Sequence, residues 1–238
     1  MRVNPADLTN TLIVSCQAYP GEPMRDPRTM AQIAAAVERG GASAVRAQGL
    51  EDIRQVKAAV GVPVIGIWKD GEQGVFITPT LEHALAVAEA GADIVALDGT
   101  LRERPDGRTL AQTVAGLRER FGGPLMADCD SVESAQAAAE LGIELIGTTL
   151  AGYTDARPKT DGPDLALLRE LAGSLGEGQL LVAEGRVHTP QQVAEARDAG
   201  ADAVVVGTAI THPTTITTWF AEAARNHKGV DNVMTNYT

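Results

Sequence analysis

Four charged side chains stand at the ends of short apolar runs. Arg46 follows Ala44-Val45, Lys69 follows Val64-Ile65-Gly66-Ile67-Trp68, Asp128 follows Leu125-Met126-Ala127 and Glu184 follows Leu180-Leu181-Val182-Ala183. Two cations facing two carboxylates can orient a polyhydroxylated molecule and still leave one base and one acid for proton transfer. Other apolar runs end in Gln17, in Asp98 and in Thr148-Thr149. The last two runs lead into Gly185-Arg186 and Gly207-Thr208. Glycine at such an exit lets backbone N–H groups approach an anion closely, and Arg186 adds positive charge. Taken singly, each of these residues reads as easily as a solvated loop start, a member of an ion-pair network or part of a tight turn.

The elements that must position them form a repeat. A helical segment ends in glycine, a short apolar strand follows, and a polar residue closes it. This junction occurs at Gly40–Arg46, Gly91–Asp98, Gly142–Thr148 and Gly200–Thr208. Glycine suits the position just past a helix because it accepts the left-handed conformation there. The junctions recur at about fifty to sixty residues, room for two β/α units each, and Leu12–Cys16, Val64–Trp68, Pro124–Asp128 and Leu180–Glu184 supply the strands between them. These runs are continuously apolar, as strands buried on both faces require. Between them, apolar residues three and four apart mark amphipathic helices, among them Met30/Ile33/Ala34/Val37, Leu165/Leu168/Leu171 and Ile216/Trp219/Phe220. Thr189-Pro190-Gln191-Gln192 carries the signature of a capping box.

Eight strands alternating with eight helices predict a (β/α)₈ TIM barrel of the phosphate-binding type, with a doubly wound open sheet as the alternative. In such a barrel the polar strand ends converge on one face, where the loops carry the chemistry. The whole chain, residues 1–238, reads as a single domain with a tail that frays after about Asn226.

Composition agrees. Of 238 residues 44% are hydrophobic but only 3% aromatic, which suits a core of small and branched side chains. The net charge of −11 argues against nucleic acid as a partner, so any anion must be held by local groups. No apolar run approaches the roughly 18 residues that span a bilayer, and MRVNPADLTN lacks a signal core. The expectation is a cytoplasmic protein without a membrane partner, with Cys16 and Cys129 as reduced thiols, and a homo-oligomer, dimer or larger. The four histidines are His83, His188, His212 and His227, and none follows a strand where it could share one ion with another. No metal site is expected, and His188 reads as a surface loop residue.

An ordered set of segments carries a family resemblance. They are Ser15-Cys16-Gln17, Ala44-Val45-Arg46, Pro63–Lys69, Val75–Thr80, Ala96–Thr100, Met126-Ala127-Asp128, Gly147–Thr154, Ala183–Arg186 and Val206-Gly207-Thr208. Together they resemble the N-acetylmannosamine-6-phosphate 2-epimerase family from about residue 12 to 220. Asp70–Gly74 departs from that pattern by being richer in glycine. The resemblance implies interconversion of N-acetylmannosamine 6-phosphate and N-acetylglucosamine 6-phosphate, a step of sialic acid catabolism, with no metal or organic cofactor. It implies Lys69 as acid/base and Glu184 as its partner, with Gln17, Arg46 and Asp128 on the sugar. It also implies the phosphate at Gly185, Arg186, Gly207 and Thr208. A lysine base requires a lowered pKa, which burial or Arg46 would favour and a touching Glu184 would oppose. Two other readings use the same residues: a sugar-phosphate aldolase with Lys69 as Schiff-base nucleophile, and a non-catalytic phosphosugar-binding barrel.

Overall fold

A computed structural model describes residues 3–226. Eight parallel strands, β1 (Thr11–Cys16), β2 (Ala44–Gln48), β3 (Val64–Ile67), β4 (Ile94–Asp98), β5 (Leu125–Asp128), β6 (Leu145–Gly147), β7 (Leu180–Glu184) and β8 (Ala203–Val206), lie in chain order. β8 pairs with β1 and closes the barrel, which excludes the open sheet. The helices are α1 (Pro27–Arg39), α2 (Leu50–Ala59), α3 (Leu81–Glu89), α4 (Leu110–Arg118), α5 (Val132–Glu140), α6 (Leu165–Leu171), α7 (Pro190–Asp198), a one-turn α8 (Thr208–Thr211) and α9 (Pro213–Asn226). The tail expected to fray after Asn226 lies outside the described residues.

Alternation along each strand divides the core in two. One cluster fills the barrel: Ile13, Ala44, Ile65 and Ile67, Ile94 and Ala96, Met126, Leu145, Val182 and Val205. The other packs the outer strand faces against the helices, with Val14, Val45, Val64, Val95, Ala127, Ile146, Ala183 and Val204. A 3₁₀ turn at Pro5–Leu8 sends Leu8 into the interior cluster, an element the sequence reading left out.

The repeated junction does more than turn the chain. Its glycines Gly41, Gly91, Gly142 and Gly200 have φ of 101°, 104°, 72° and 105°. Two residues after the last three of these an acidic side chain accepts a backbone N–H at the start of the preceding strand: Asp93 from Val64 at 2.9 Å, Glu144 from Leu125 at 2.8 Å and Asp202 from Leu181 at 2.8 Å. Each odd strand from β3 is thus tied at its start to the even strand beside it.

Local details also depart from the sequence reading. Gln192, expected to close a capping box onto Thr189, instead accepts from the His188 N–H at 2.7 Å and so anchors the loop after β7. In α9, Trp219 is half-buried while Phe220 is 74% exposed, so its apolar stripe is only partly covered.

Gly66 sits on the outward face of β3, where a Cβ would meet Ala92 Cβ and Val87 Cγ1 at 2.7 Å. Gly66→Ala should therefore destabilise the fold by about 1–3 kcal/mol through overpacking. Urea denaturation measures this, and a midpoint unchanged from the parent would contradict the packing described.

Candidate active site

The same alternation that fills the barrel sets the site. Two residues past the last inward apolar position of a strand lies the next inward position, and there the chain places Arg46, Lys69, Asp128, Glu184 and Gly207. Gln17 continues the inward row Ile13–Ser15. They stack above the apolar layers, at and below the floor of a cavity of about 510 Å³ at the C-terminal ends of the strands. That is room for a hexose phosphate. Ile67, Ile77, Leu150 and Val205 form its apolar floor.

At the centre is Arg46, 1% exposed. Its Nη1 donates to Asp128 Oδ1 at 2.8 Å and to Glu184 Oε2 at 2.6 Å, and its Nη2 donates to Asp128 Oδ2 at 2.5 Å. Burial opposes the guanidinium's charge, but the two carboxylates outweigh it and raise its pKa. Asp128 is fully buried, with both oxygens on Arg46, and does not line the cavity. Its carboxylate lies under the floor, holding Arg46 and meeting Thr149 Oγ1. Arg46 likewise spends its Nη groups on carboxylates, and its Nε is buried without a partner.

Glu184 is pushed above the usual carboxylate range, mainly by burial. Arg46 pulls the other way, but it is shared with Asp128, whose charge raises Glu184 further. Thr149 Oγ1 lies 2.7 Å from Asp128 Oδ1 and 3.2 Å from Glu184 Oε2.

Lys69 belongs to a hairpin that extends β3. It bridges antiparallel to Ile77, while Asp70 N–H donates to Phe76 O at 3.0 Å and Thr78 N–H to Trp68 O at 2.7 Å. The glycine-rich Asp70–Gly74 segment is the hairpin's tip, turning through Gly71 and Gly74 with φ of 88° and 64°. The Lys69 ammonium donates to Gln17 Oε1 at 2.8 Å, and Gln17 is oriented by its own bond to Ser15 Oγ at 2.7 Å. Burial, and then Arg46, lower the Lys69 pKa, and together they outweigh Glu184 and Asp128. The competition that sequence left open is resolved because Glu184 pairs with Arg46 and forms no ion pair with Lys69.

The remaining expected residues gather on the other side of the mouth. Gly185, Arg186, Gly207 and Thr208 all line the cavity. Gly185 has φ of 111°, and Arg186, unusually for a residue other than glycine, has φ of 55°. Among the described residues no acceptor takes the N–H groups of these four. The Arg186 guanidinium is fixed by Ala151 O at 2.8 Å, Gly162 O at 3.1 Å and Thr160 Oγ1 at 3.0 Å, and lies 5.0 Å from the Tyr153 ring centroid. It forms no ion pair with a described carboxylate, so its charge is available to the cavity. The third carboxylate of the sequence reading, Asp98, takes no part: it binds Thr100 and Arg102 and lies off the cavity.

Sequence reasoning missed two contributors. Arg25, from the β1–α1 loop, reaches the cavity and donates to Ala18 O at 2.7 Å. His188, read from sequence as a surface loop residue, is partly buried in its loop and lines the cavity, with its ring 4.8 Å from that of Trp219. Neither stands at a strand end, so no positional signal marked them. Among the described residues no cluster of three or more His, Cys, Asp or Glu could hold a metal ion, and no helix is long and apolar enough to cross a membrane.

What these strand ends assemble is the working face of a (β/α)₈-barrel enzyme for a small anionic substrate. Its family is shown by comparison. Residues 30–226 match the model of the NanE family, described as "Putative N-acetylmannosamine-6-phosphate epimerase". A Cutibacterium acnes protein named "Putative N-acetylmannosamine-6-phosphate 2-epimerase" is 60% identical over 92% of this chain and 96% of its own, and a Corynebacterium glutamicum protein of the same name is 48% identical over 91% and 94%. The solved N-acetylmannosamine-6-phosphate 2-epimerase of Clostridium perfringens superposes with a TM-score of 0.87 at 35% identity, covering 92% of this chain and 95% of that one. The chain belongs to the N-acetylmannosamine-6-phosphate 2-epimerase family.

Arg46→Met should cost about 3–5 kcal/mol at pH 7, because it leaves two buried carboxylates without their cation. In that variant the carboxylates bind protons more tightly folded than unfolded, so the deficit must shrink as pH falls. Denaturant unfolding at pH 7 and pH 5 tests this, and a deficit that grows toward pH 5 would contradict it.

Proposed function

We propose that this chain interconverts N-acetylmannosamine 6-phosphate and N-acetylglucosamine 6-phosphate by moving a proton at C2, in the cytoplasm and in sialic acid catabolism. The observation that carries the reading is a buried lysine of lowered pKa placed across the barrel mouth from a carboxyl of raised pKa. In the open-chain sugar, C2 lies beside the C1 aldehyde, which makes its proton removable and the resulting anion an enolate. Inversion requires a base at C2 and a proton returned to the opposite face.

Lys69 is the base and acid held at C2. Its neutral form is favoured by burial and by Arg46, and Gln17 aims its nitrogen. Glu184 is its partner, with Oε1 unbonded and turned to the cavity while Oε2 is held by Arg46. Lys69 and Glu184 come from β3 and β7, opposite one another in an eight-strand ring, so a bound sugar lies between them. Arg46 supplies fixed positive charge beneath the enolate rather than a hydrogen bond to the sugar, and Asp128 keeps it in place. The phosphate is received by the N–H groups of Gly185, Arg186, Gly207 and Thr208 and by the Arg186 guanidinium. The reaction needs no metal or organic cofactor, the chain acts as a single domain, and a homo-oligomer follows the habit of such barrels.

A low-pKa lysine would serve a Schiff-base aldolase equally well, and family membership is what favours the epimerase. Borohydride added with substrate should therefore leave no adduct on Lys69. Turnover of N-acetylmannosamine 6-phosphate should persist in excess chelator, and loss of activity there would overturn metal independence.

Lys69→Ala should lower kcat by about 10²–10⁴-fold while sugar-phosphate binding survives, and the wild type should place solvent deuterium at C2 of the product. Because the base must be neutral, kcat should rise with pH to a plateau reached below the ordinary lysine range. Near-full activity in Lys69→Ala, measured by coupled assay, would sink the assignment. Arg186→Ala should raise KM about 10-fold or more with a smaller change in kcat, as loss of a charge-assisted phosphate contact predicts.

A further inference from the structure

Glu184 is held from behind by two consecutive threonines at the end of β6. Thr148 Oγ1 accepts the Glu184 N–H at 3.1 Å and donates to the Glu184 carbonyl at 3.1 Å, which fixes the residue's backbone. Thr149 Oγ1 meets its carboxyl at Oε2. Its own position is tight: a Cβ on Gly147 would come within 3.1 Å of that oxygen. Thr149 Oγ1 also touches Asp128 Oδ1, so one hydroxyl bridges the two carboxylates that share Arg46.

We propose that Thr149 is a positioning residue for this reaction, whose hydroxyl locks the Glu184 carboxyl so that any proton it carries sits on Oε1, facing the sugar. The inference rests on the proposed epimerase reading. A carboxyl has two oxygens, and a proton is useful only on the one that reaches the substrate. Oε2 already receives Arg46 Nη1 at 2.6 Å and Thr149 at 3.2 Å, which occupies its acceptor positions. Among the described residues Oε1 has no hydrogen-bond partner, and it is not sealed from the cavity. The Thr149 hydroxyl has a single proton and two carboxylates to serve. Turned to Glu184, it steadies the ionised carboxylate. Kept on Glu184 it fills the remaining acceptor position of Oε2 whether or not Oε1 carries a proton, and Asp128 remains satisfied without it because Arg46 grips both its oxygens. Without it, Oε2 has a free acceptor position, the proton can settle away from the sugar, and the ionised form loses a stabilising bond.

The test compares Thr149→Val, which replaces the hydroxyl by a methyl of similar size, with Thr149→Ser, which keeps it. In wild-type enzyme shown to turn over N-acetylmannosamine 6-phosphate, Thr149→Val should lower kcat about 10–100-fold with KM within about twofold, and Thr149→Ser should restore kcat to within about threefold. Difference infrared spectroscopy should show the protonated-carboxyl band that vanishes in Glu184→Gln titrating at higher pH in Thr149→Val than in wild type. Thermal unfolding and binding of N-acetylglucosamine 6-phosphate establish that each variant is folded. A Thr149→Val enzyme with wild-type kcat, a fall in kcat that serine does not rescue, an unshifted carboxyl titration, or parallel losses of binding and stability in both variants would each overturn the proposal. Failure of the wild type to turn over the substrate would instead remove the epimerase reading.

Discussion

One guanidinium has to balance two carboxylates in the top layer of the barrel interior. Arg46 meets Asp128, which lies beneath the cavity, through two bonds and Glu184, which lines it, through one. A buried ion pair of one cation and one anion would cancel locally and leave its neighbours little changed. The triad cannot cancel, and what is left over shapes the residues around it. The surplus negative charge falls on Glu184, the partner with one bond and the route to the cavity, and with burial it holds the carboxyl in the protonatable range. Arg46 itself stays positive and, with burial, holds Lys69 toward its neutral form. One arrangement thus moves a base down and an acid up, the pattern that lets both work near neutral pH.

Barrel geometry keeps these two groups from quenching each other. Had Lys69 and Glu184 stood on adjacent strands, they would have formed an ion pair, and each would have returned to its ordinary charge state. Four strands apart, with Arg46 reaching Glu184 first, they face each other across the cavity. The hairpin after β3 serves the same end, since its backbone ladder to Ile77 and Phe76 stiffens the stretch that delivers Lys69.

Much of this was legible in the sequence, because a parallel barrel obeys two simple periods. The glycine junctions announced the β/α units, and the polar residue ending each run named Arg46, Lys69, Asp128 and Glu184. Period-two alternation from Ile67, Met126 and Val182 already places Lys69, Asp128 and Glu184 on the inward face. What pattern could not reveal is how far up the barrel each side chain stops. Asp128 looks as close to the cavity as Glu184 does until its bonds to Arg46 are seen. The acid two residues after three of the four junction glycines was visible as Asp93, Glu144 and Asp202, but its partner lies on another strand, so its task of tying down the odd strands was hidden. Arg25 and His188 arrive from loops, whose course depends on tertiary contacts such as the Gln192 bond to the His188 N–H.

The acidity of the chain bears on how an anionic sugar phosphate is admitted. A net charge of −11 should repel it, yet at physiological salt such repulsion is screened within about 8 Å. Inside the cavity the balance is reversed. Among the described residues, Arg25, Lys69 and Arg186 line it without an ion pair, beside Glu72 and beside an Arg46 already balanced by Glu184 and Asp128. Arg186 is held by neutral carbonyl and hydroxyl oxygens rather than by a carboxylate. An acidic partner there would neutralise the charge that the phosphate needs, whereas neutral acceptors fix the geometry and leave the charge free. The site therefore attracts its substrate through Arg25 and Arg186, which have no ion pair with a described carboxylate, and the chain can carry its excess acid elsewhere on the surface without weakening that attraction.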